Sequence, residues 1–359
     1  MDTPDIAVRL ARWITDRTEG SQPVSVGGLD IPASNGFSNV TMVLDTTWGS
    51  GPDAIDRKLV ARIEPTGDTL FPTYDVGCQF RVMAALGPTA VPVPRTLWFE
   101  SDPGVLGAPF FLMEHVDGLV PSDDPSFAAS GWVLALPPQR RAELCDNALQ
   151  ALAQVHAVDW RAVGLGWLAR EGAGSTAERE ISYYESFYRW AAQGRSVPVI
   201  EHALRWVRER LPDSEELVLS WGDSRVGNMI FGAELGVRAV VDWEGATLAA
   251  PEKDLGHWLQ LTHVYTEQFG LALPEGFPDR EGVLAGYERW SGRRVGDVAF
   301  YEVMSGIHSS IQALRALTLM GHGVGDGGAL VNNPFTRGLA RLVDFSLPEG
   351  GLDILTGKR

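Results

Sequence analysis

Residues 219–231 read LSWGDSRVGNMIF, a polar run, WGDSRVGN, between two apolar ends. Asp223 and Asn228 stand five apart in it. As a lone D-x-x-x-x-N the pair would be only a turn, because Asp and Asn readily hydrogen-bond their own backbone in loops. The next strand-like piece, VRAVVDWEG (237–245), changes that by delivering Asp242. A loop carrying Asp and Asn, followed by a hairpin that returns a second Asp, brings all three to one edge. Phosphoryl transfer needs such a set. One carboxylate orients an attacking hydroxyl and accepts its proton, while an amide oxygen and a second carboxylate hold the Mg²⁺ that bridges nucleotide phosphates.

Outward from this stretch, two textures divide the chain. From about 24 to 116 it is strand-rich: VTMVLDTTW (40–48), RKLVARIE (57–64), RTLWFES (95–101) and APFFLMEHV (108–116). One helical run, YDVGCQFRVMAALG (74–87), interrupts them, with Val76, Phe80, Met83 and Ala84 at spacings of three and four and a Gly-Pro stop. After VDG (116–118) comes a loop over 119–138. Helical patterns then dominate at 137–160, 180–192, 200–211, 251–270, 281–291 and 297–320, with three strand-like pieces in 217–245 as the exception. The boundary is set near 116–120, giving a β-rich lobe over 1–116 and a helical lobe over 117–359. Ala7, Leu10, Ala11 and Ile14 make the N-terminus an amphipathic helix, expected to pack on the small lobe.

Composition removes several classes of function. The 359 residues are 45% hydrophobic and 21% charged, which argues against wholesale disorder. A net charge of −16 argues against nucleic acid as a partner and permits a cationic substrate. Two cysteines, Cys78 and Cys145, build no disulfide framework. The N-terminus has no apolar core of a signal peptide, and no run of 18 apolar residues suggests a membrane span. The expected location is cytoplasmic. There is no GxxxxGK[ST], GxSxG or HExxH, and the seven histidines lack metal-ligand spacing. The one GxGxxG, at Gly323, Gly325 and Gly328, follows a helical segment rather than a strand and reads as a mobile loop. Trp206, Trp258 and Trp290 fall on helical faces and are expected in the core.

SWGDSRVGN followed by VVDWE resembles the catalytic and metal-binding segments of the aminoglycoside phosphotransferase and choline kinase-like family, relatives of the protein kinases. That family commonly writes HGDxxxxN, and Trp221 stands where its His is usual. Other segments agree in order. LAQVHAVDW (152–160) resembles an LxxLHxxD helix, with His156 bracing the core. In PEKDLGHW (251–258), Asp254 resembles an Asp that braces the catalytic loop. By the resemblance, Glu114 C=O and Val116 N–H in APFFLMEHVDG would meet an adenine edge. Ser34, Asn35, Gly36 and Ser38 would line the phosphate loop. The phosphate-gripping lysine falls at Arg62 and its acidic partner at Gln79, a pair able to substitute as guanidinium and amide oxygen. Lys58, of the same strand parity, is the alternative grip. Glu244 either orders water at the metal or faces a cationic substrate.

The resemblance implies an α+β, protein-kinase-like bilobal fold with a hinge near 113–118. The implied reaction moves the γ-phosphoryl of ATP (or GTP) to a hydroxyl of a small molecule. Asp223 would be the base, with Asn228 and Asp242 on Mg²⁺. Acceptors in the family include aminoglycosides, amino alcohols, sugars and hydroxyacyl thioesters, and a nucleotide-binding pseudokinase is the alternative to an enzyme. Oligomeric state has no signature in the sequence.

Overall fold

The computed structural model describes residues 3–18, 22–30, 40–213, 216–322 and 327–352. By its contacts the chain falls into two units, Met1–Pro88 with Val93–Asp117, and Thr89–Pro92 with Gly118–Arg359.

The first unit is built on a sheet whose alternation sets its two faces. It comprises α1 (Thr3–Thr15), β1 (Val24–Asp30), β2 (Val40–Trp48), β3 (Ile55–Ile63), α2 (Val76–Leu86), β4 (Thr96–Glu100) and β5 (Phe110–Glu114). The strands are antiparallel in the order β1-β2-β3-β5-β4. Met42 and Leu44, Leu59 and Ala61, and Phe110 and Leu112 gather with Leu10, Trp13 and Ile14 of α1 in one buried core. The N-terminal helix thus covers one face of the small unit, and Trp13 fixes it further by donating to Glu100 Oε2 at 2.7 Å. Residues of opposite parity, Lys58, Val60 and Arg62, therefore project to the other face. On that face α2 packs Phe80 against Phe99 and Phe111, with ring centroids 5.8 and 6.0 Å apart. Helix α2 starts where Asp75 accepts from Cys78 N–H at 2.8 Å.

The second unit runs α3 (Trp132–Ala135), α4 (Pro138–His156), α5 (Thr176–Ala192), α6 (Pro198–Arg208), β6 (Val218–Ser220), β7 (Met229–Phe231), β8 (Val237–Val240), β9 (Thr247–Ala249), α7 (Pro251–Tyr265), α8 (Arg280–Ser291), α9 (Val298–Leu319), α10 (Gly327–Val331) and α11 (Pro334–Leu342). Caps explain several starts: a Ser175–Glu178 capping box opens α5, Asp279 opens α8 and Asp297 opens α9. Helices α7 and α9 approach so closely at Gly256 that a Cβ there would lie 2.5 Å from the Tyr301 carbonyl carbon. That contact lays α7 along α9 and aims one face of each at the loop after β6.

The structure differs from the sequence-based expectations in particular places. β1 and β9 are additional strands, and the loop expected over 119–138 contains the single turn α3. The apolar ends of the opening stretch form β6 and β7, which pair with β9 and β8. Trp258 is buried, whereas Trp290 is 40% exposed and donates to Asp146 at 3.0 Å, since its helix turns that face to solvent. Trp206 is half-buried with Arg210 over its ring. Gly323 and Gly325 lie outside the described residues, and Gly328 sits in α10.

Candidate active site

One carboxylate holds the loop between β6 and β7. Asp254, wholly buried in the first turn of α7, accepts from the backbone N–H of Trp221 at 2.7 Å, from that of Gly222 at 2.8 Å and from Ser220 Oγ at 3.0 Å. His156 Nε2, at the end of α4, stands 2.9 Å from the same carboxylate, and its Nδ1 stands 2.7 Å from the Tyr287 hydroxyl. Burial would raise the Asp254 pKa, but the His156 hydrogen bond and charge, the Lys253 charge and the Gly222 N–H outweigh it and hold the group low. Gly222 itself has φ +91, and a Cβ on it would lie 2.1 Å from the Gly245 carbonyl oxygen. Only glycine allows that approach.

Asp223 is next. Its Oδ1 lies 2.9 Å from His257 Nε2 and accepts from Arg225 Nε at 3.0 Å. Its Oδ2 accepts from Asn228 Nδ2 at 2.6 Å, and the same amide nitrogen is 3.0 Å from the Asp223 carbonyl. Burial pushes the Asp223 pKa up. The Arg225 charge and the His257 hydrogen bond more than reverse this, leaving the carboxyl well below the usual carboxylate range. Two further contacts orient these partners: His257 Nδ1 is 2.9 Å from Ser305 Oγ on α9, and Arg225 also pairs with Asp123. Burial raises the Asp123 pKa in spite of that pairing.

Asn228 and Asp242 are brought together by the β7–β8 ladder. Met229 pairs with Val240, and Val241 N–H donates to the Asn228 carbonyl at 3.0 Å. The chain then turns at Asp242, which has φ +61, into the short helical turn Trp243–Gly245. Buried Trp221 donates its Nε1–H to the Val241 carbonyl at 2.9 Å, and buried Trp243 donates to the Val240 carbonyl at 3.0 Å. The Trp-for-His departure at 221 therefore keeps a ring N–H donor at that position. With the Asn228 amide nitrogen spent on Asp223, its Oδ1 is left as an acceptor. An amide oxygen with a carboxylate is a hard, all-oxygen set suited to Mg²⁺, which takes few protein ligands and completes its shell with water and phosphate. Among the described residues no group of three or more His, Cys, Asp or Glu could hold a metal by itself, so the ion's remaining ligands would come from elsewhere.

In the first unit, Arg62 donates to Thr41 Oγ1 at 2.8 Å, its cross-strand partner on β2. Gln79 is buried, and no hydrogen bond joins it to Arg62 among the described residues. Lys58 is exposed, 3.9 Å from Asp45. Glu114 ends β5 with its side chain 3.3 Å from Arg95, and the Val116 N–H takes part in no backbone hydrogen bond among the described residues. Ser34, Asn35, Gly36 and Ser38 lie outside the described residues.

Sequence reasoning missed His257, Arg225 and Asp123. His257 had a signal: it follows Asp254 by three on α7, so a helix face that braces the loop through one also presents the other. Asp123, a hundred residues before Arg225, had none.

The model of a family described as the phosphotransferase enzyme family matches residues 31–293. Mouse (Mus musculus) acyl-CoA dehydrogenase family member 10 is 34% identical over 203 residues, which are 56% of this chain and 18% of that protein. The chain thus spans about a fifth of that relative's length. A Ralstonia eutropha JMP134 crystal structure, provisionally named an aminoglycoside phosphotransferase, is similar with TM-score 0.68 and 25% identity over 94% of this chain and 98% of that one. An ethanolamine kinase of Plasmodium vivax shares the fold, with TM-score 0.59 and 13% identity over 92% of this chain and 85% of that one. Among the described residues no helix is long and apolar enough to cross a membrane.

Proposed function

The chain belongs to the phosphotransferase enzyme family, and from that premise we propose that it transfers the γ-phosphoryl group of ATP (or GTP) to a hydroxyl of a small molecule. The observation that carries this reading is the Asp223 carboxylate, held ionised by His257, Arg225 and Asn228 on a loop fixed by a buried Asp. Asp223 accepts a hydrogen bond from the acceptor hydroxyl and aims its oxygen at the γ-phosphorus. The new O–P bond forms as the bridging P–O bond to the nucleoside diphosphate breaks, and the hydroxyl proton passes to Asp223. Both Asp223 oxygens already accept hydrogen bonds from His257, Arg225 and Asn228. Asp223 therefore works mainly by orientation and takes the proton late, as a loose, metaphosphate-like transition state requires. Asn228 and Asp242 would hold Mg²⁺, which when bound neutralises the nucleotide phosphates. Arg62 steadies phosphate, Glu114 C=O and Val116 N–H take the base edge, and Ser34, Asn35, Gly36 and Ser38 supply the phosphate loop.

The acceptor is drawn from the family's range: aminoglycosides, amino alcohols, sugars or hydroxyacyl thioesters. The name of the mouse relative favours putting hydroxyacyl thioesters first in the trial. A second reading, a nucleotide-binding pseudokinase, is motivated by Arg62 and Gln79 standing where the family has a lysine and its acidic partner. An ATP-consumption screen across the four acceptor classes, with Asp223→Ala as the blank, separates the two. Turnover abolished in the variant supports the enzyme, whereas nucleotide binding without turnover on any acceptor supports the pseudokinase.

A further inference from the structure

The second unit contains a guanidinium, that of Arg170, which makes no hydrogen bond among the described residues. Arg170 follows the turn Gly166–Leu168, which Thr247 on β9 anchors by donating to the Leu168 carbonyl at 3.2 Å. The half-buried Arg170 lies over the Tyr183 ring, 4.1 Å from its centroid. Its Nε is buried without a hydrogen-bond partner. The Nε atoms of Arg9 and Arg179 share that condition, but those two side chains bond through their other nitrogens, to the Val105 and Gly174 carbonyls. Arg170 has no such bond to a described residue.

The nearby carboxylate acts on Arg170 through charge and is engaged by other partners. Glu180, whose carboxylate feels the Arg170 charge, is already committed to Lys253 Nζ at 3.0 Å and to the Tyr184 hydroxyl at 3.0 Å. His308 stacks on Tyr184 with ring centroids 5.2 Å apart, and burial, with the nearby His257 and Lys253 charges, lowers its pKa to about 3, so it is neutral. Glu244 acts on Tyr183 through its charge. This wall adjoins Asp223. Lys253 lies one turn before His257 on α7, the residue that touches Asp223, and His308 lies one turn after Ser305 on α9, which holds His257 in place.

Resting on the phosphotransferase reading, we propose that Arg170, laid on Tyr183, anchors an anionic group, a carboxylate or a phosphate, on the acceptor alcohol. A guanidinium stacked on an aromatic face keeps the edge of its fork open, and that fork matches two oxygens of either anion. The acceptor is then an acidic alcohol rather than a polyamine.

Calorimetry on the full chain saturated with Mg²⁺ and a non-hydrolysable ATP analogue tests this with four probes: 3-hydroxybutyrate, glycerol 3-phosphate, glycerol and ethanolamine. Either anionic probe should bind more tightly than the neutral and cationic ones, and Arg170→Gln should weaken it by about tenfold or more. Arg170→Lys should recover part of the loss, which guards against a merely misfolded glutamine variant. Comparing the two anions tells carboxylate from phosphate. Equal affinity of wild type and Arg170→Gln for both anions, or no preference for either anion, overturns the proposal. If an anion binds through Arg170 but the ATP-consumption screen finds no turnover on any acceptor class, the phosphotransferase reading fails while the anion site stands.

Discussion

His257 Nε2 stands 2.9 Å from Asp223 Oδ1 while His257 Nδ1 stands 2.9 Å from Ser305 Oγ. The imidazole is held on both sides, so it fixes the carboxylate in one orientation instead of following it. His257→Ala should leave Asp223 with Arg225 and Asn228 and lower kcat by roughly 10²-fold, the scale of a misplaced reacting group. The KM for ATP should change little, and His257→Gln should recover part of the rate. Steady-state kinetics check this. An unchanged kcat in folded His257→Ala would remove the positioning role.

The low pKa of Asp223 sets a pH window. A carboxyl whose folded pKa lies below its unfolded value, about 3.9, contributes stability that is fully present above the unfolded pKa and is lost as pH falls toward the folded one. The stability difference between wild type and Asp223→Asn should therefore stay level from pH 8 to about 5 and shrink below about 4. Urea denaturation at a series of pH values measures it. A difference that shrinks between pH 8 and about 6 would contradict an Asp223 paired in this way.

Asp254 gathers the N–H groups of Trp221 and Gly222, the Ser220 hydroxyl and His156 in a site without solvent. Removing the acceptor leaves those donors buried and unpaired, so Asp254→Ala should cost about 3–5 kcal/mol. Asp254→Asn keeps one acceptor oxygen and should cost less. Denaturation midpoints decide, and an alanine variant within about 1 kcal/mol of wild type would show that the loop does not depend on this carboxylate.

These residues also mark where sequence was enough. Asp223, Asn228 and Asp242 could be grouped because a short loop and a hairpin constrain their separation, and the β7–β8 register with Val241 on Asn228 is the physical form of that constraint. The α1 stripe was legible for the same reason: Leu10 and Ile14 recur at helical spacing and both enter the core. Asp123 beside Arg225 was not legible, because no local pattern encodes a contact made by chain folding over a hundred residues. Trp290 failed differently: periodicity shows that a helix has faces, but not which face the neighbouring elements cover. Arg170 was overlooked because a single arginine in a Gly-rich turn looks like surface, and only the Tyr183 ring beneath it distinguishes it.

Gly222 and Gly292 separate two effects that glycine substitutions usually mix. Both have positive φ, +91 and +67, so alanine pays the left-handed cost at either position, roughly 1–2 kcal/mol. At Gly292, which ends α8, a Cβ would meet nothing within 4 Å. At Gly222 it would lie 2.1 Å from the Gly245 oxygen, a backbone atom that cannot rotate aside. Gly292→Ala should therefore show only the conformational cost. Gly222→Ala should lose several kcal/mol more and most of its activity, because relieving the clash moves the loop carrying Asp223 away from the turn after Asp242. Thermal unfolding and ATP turnover of the two variants, measured side by side, test this, and equal destabilisation would mean that the close approach at 222 and 245 does not hold the loop.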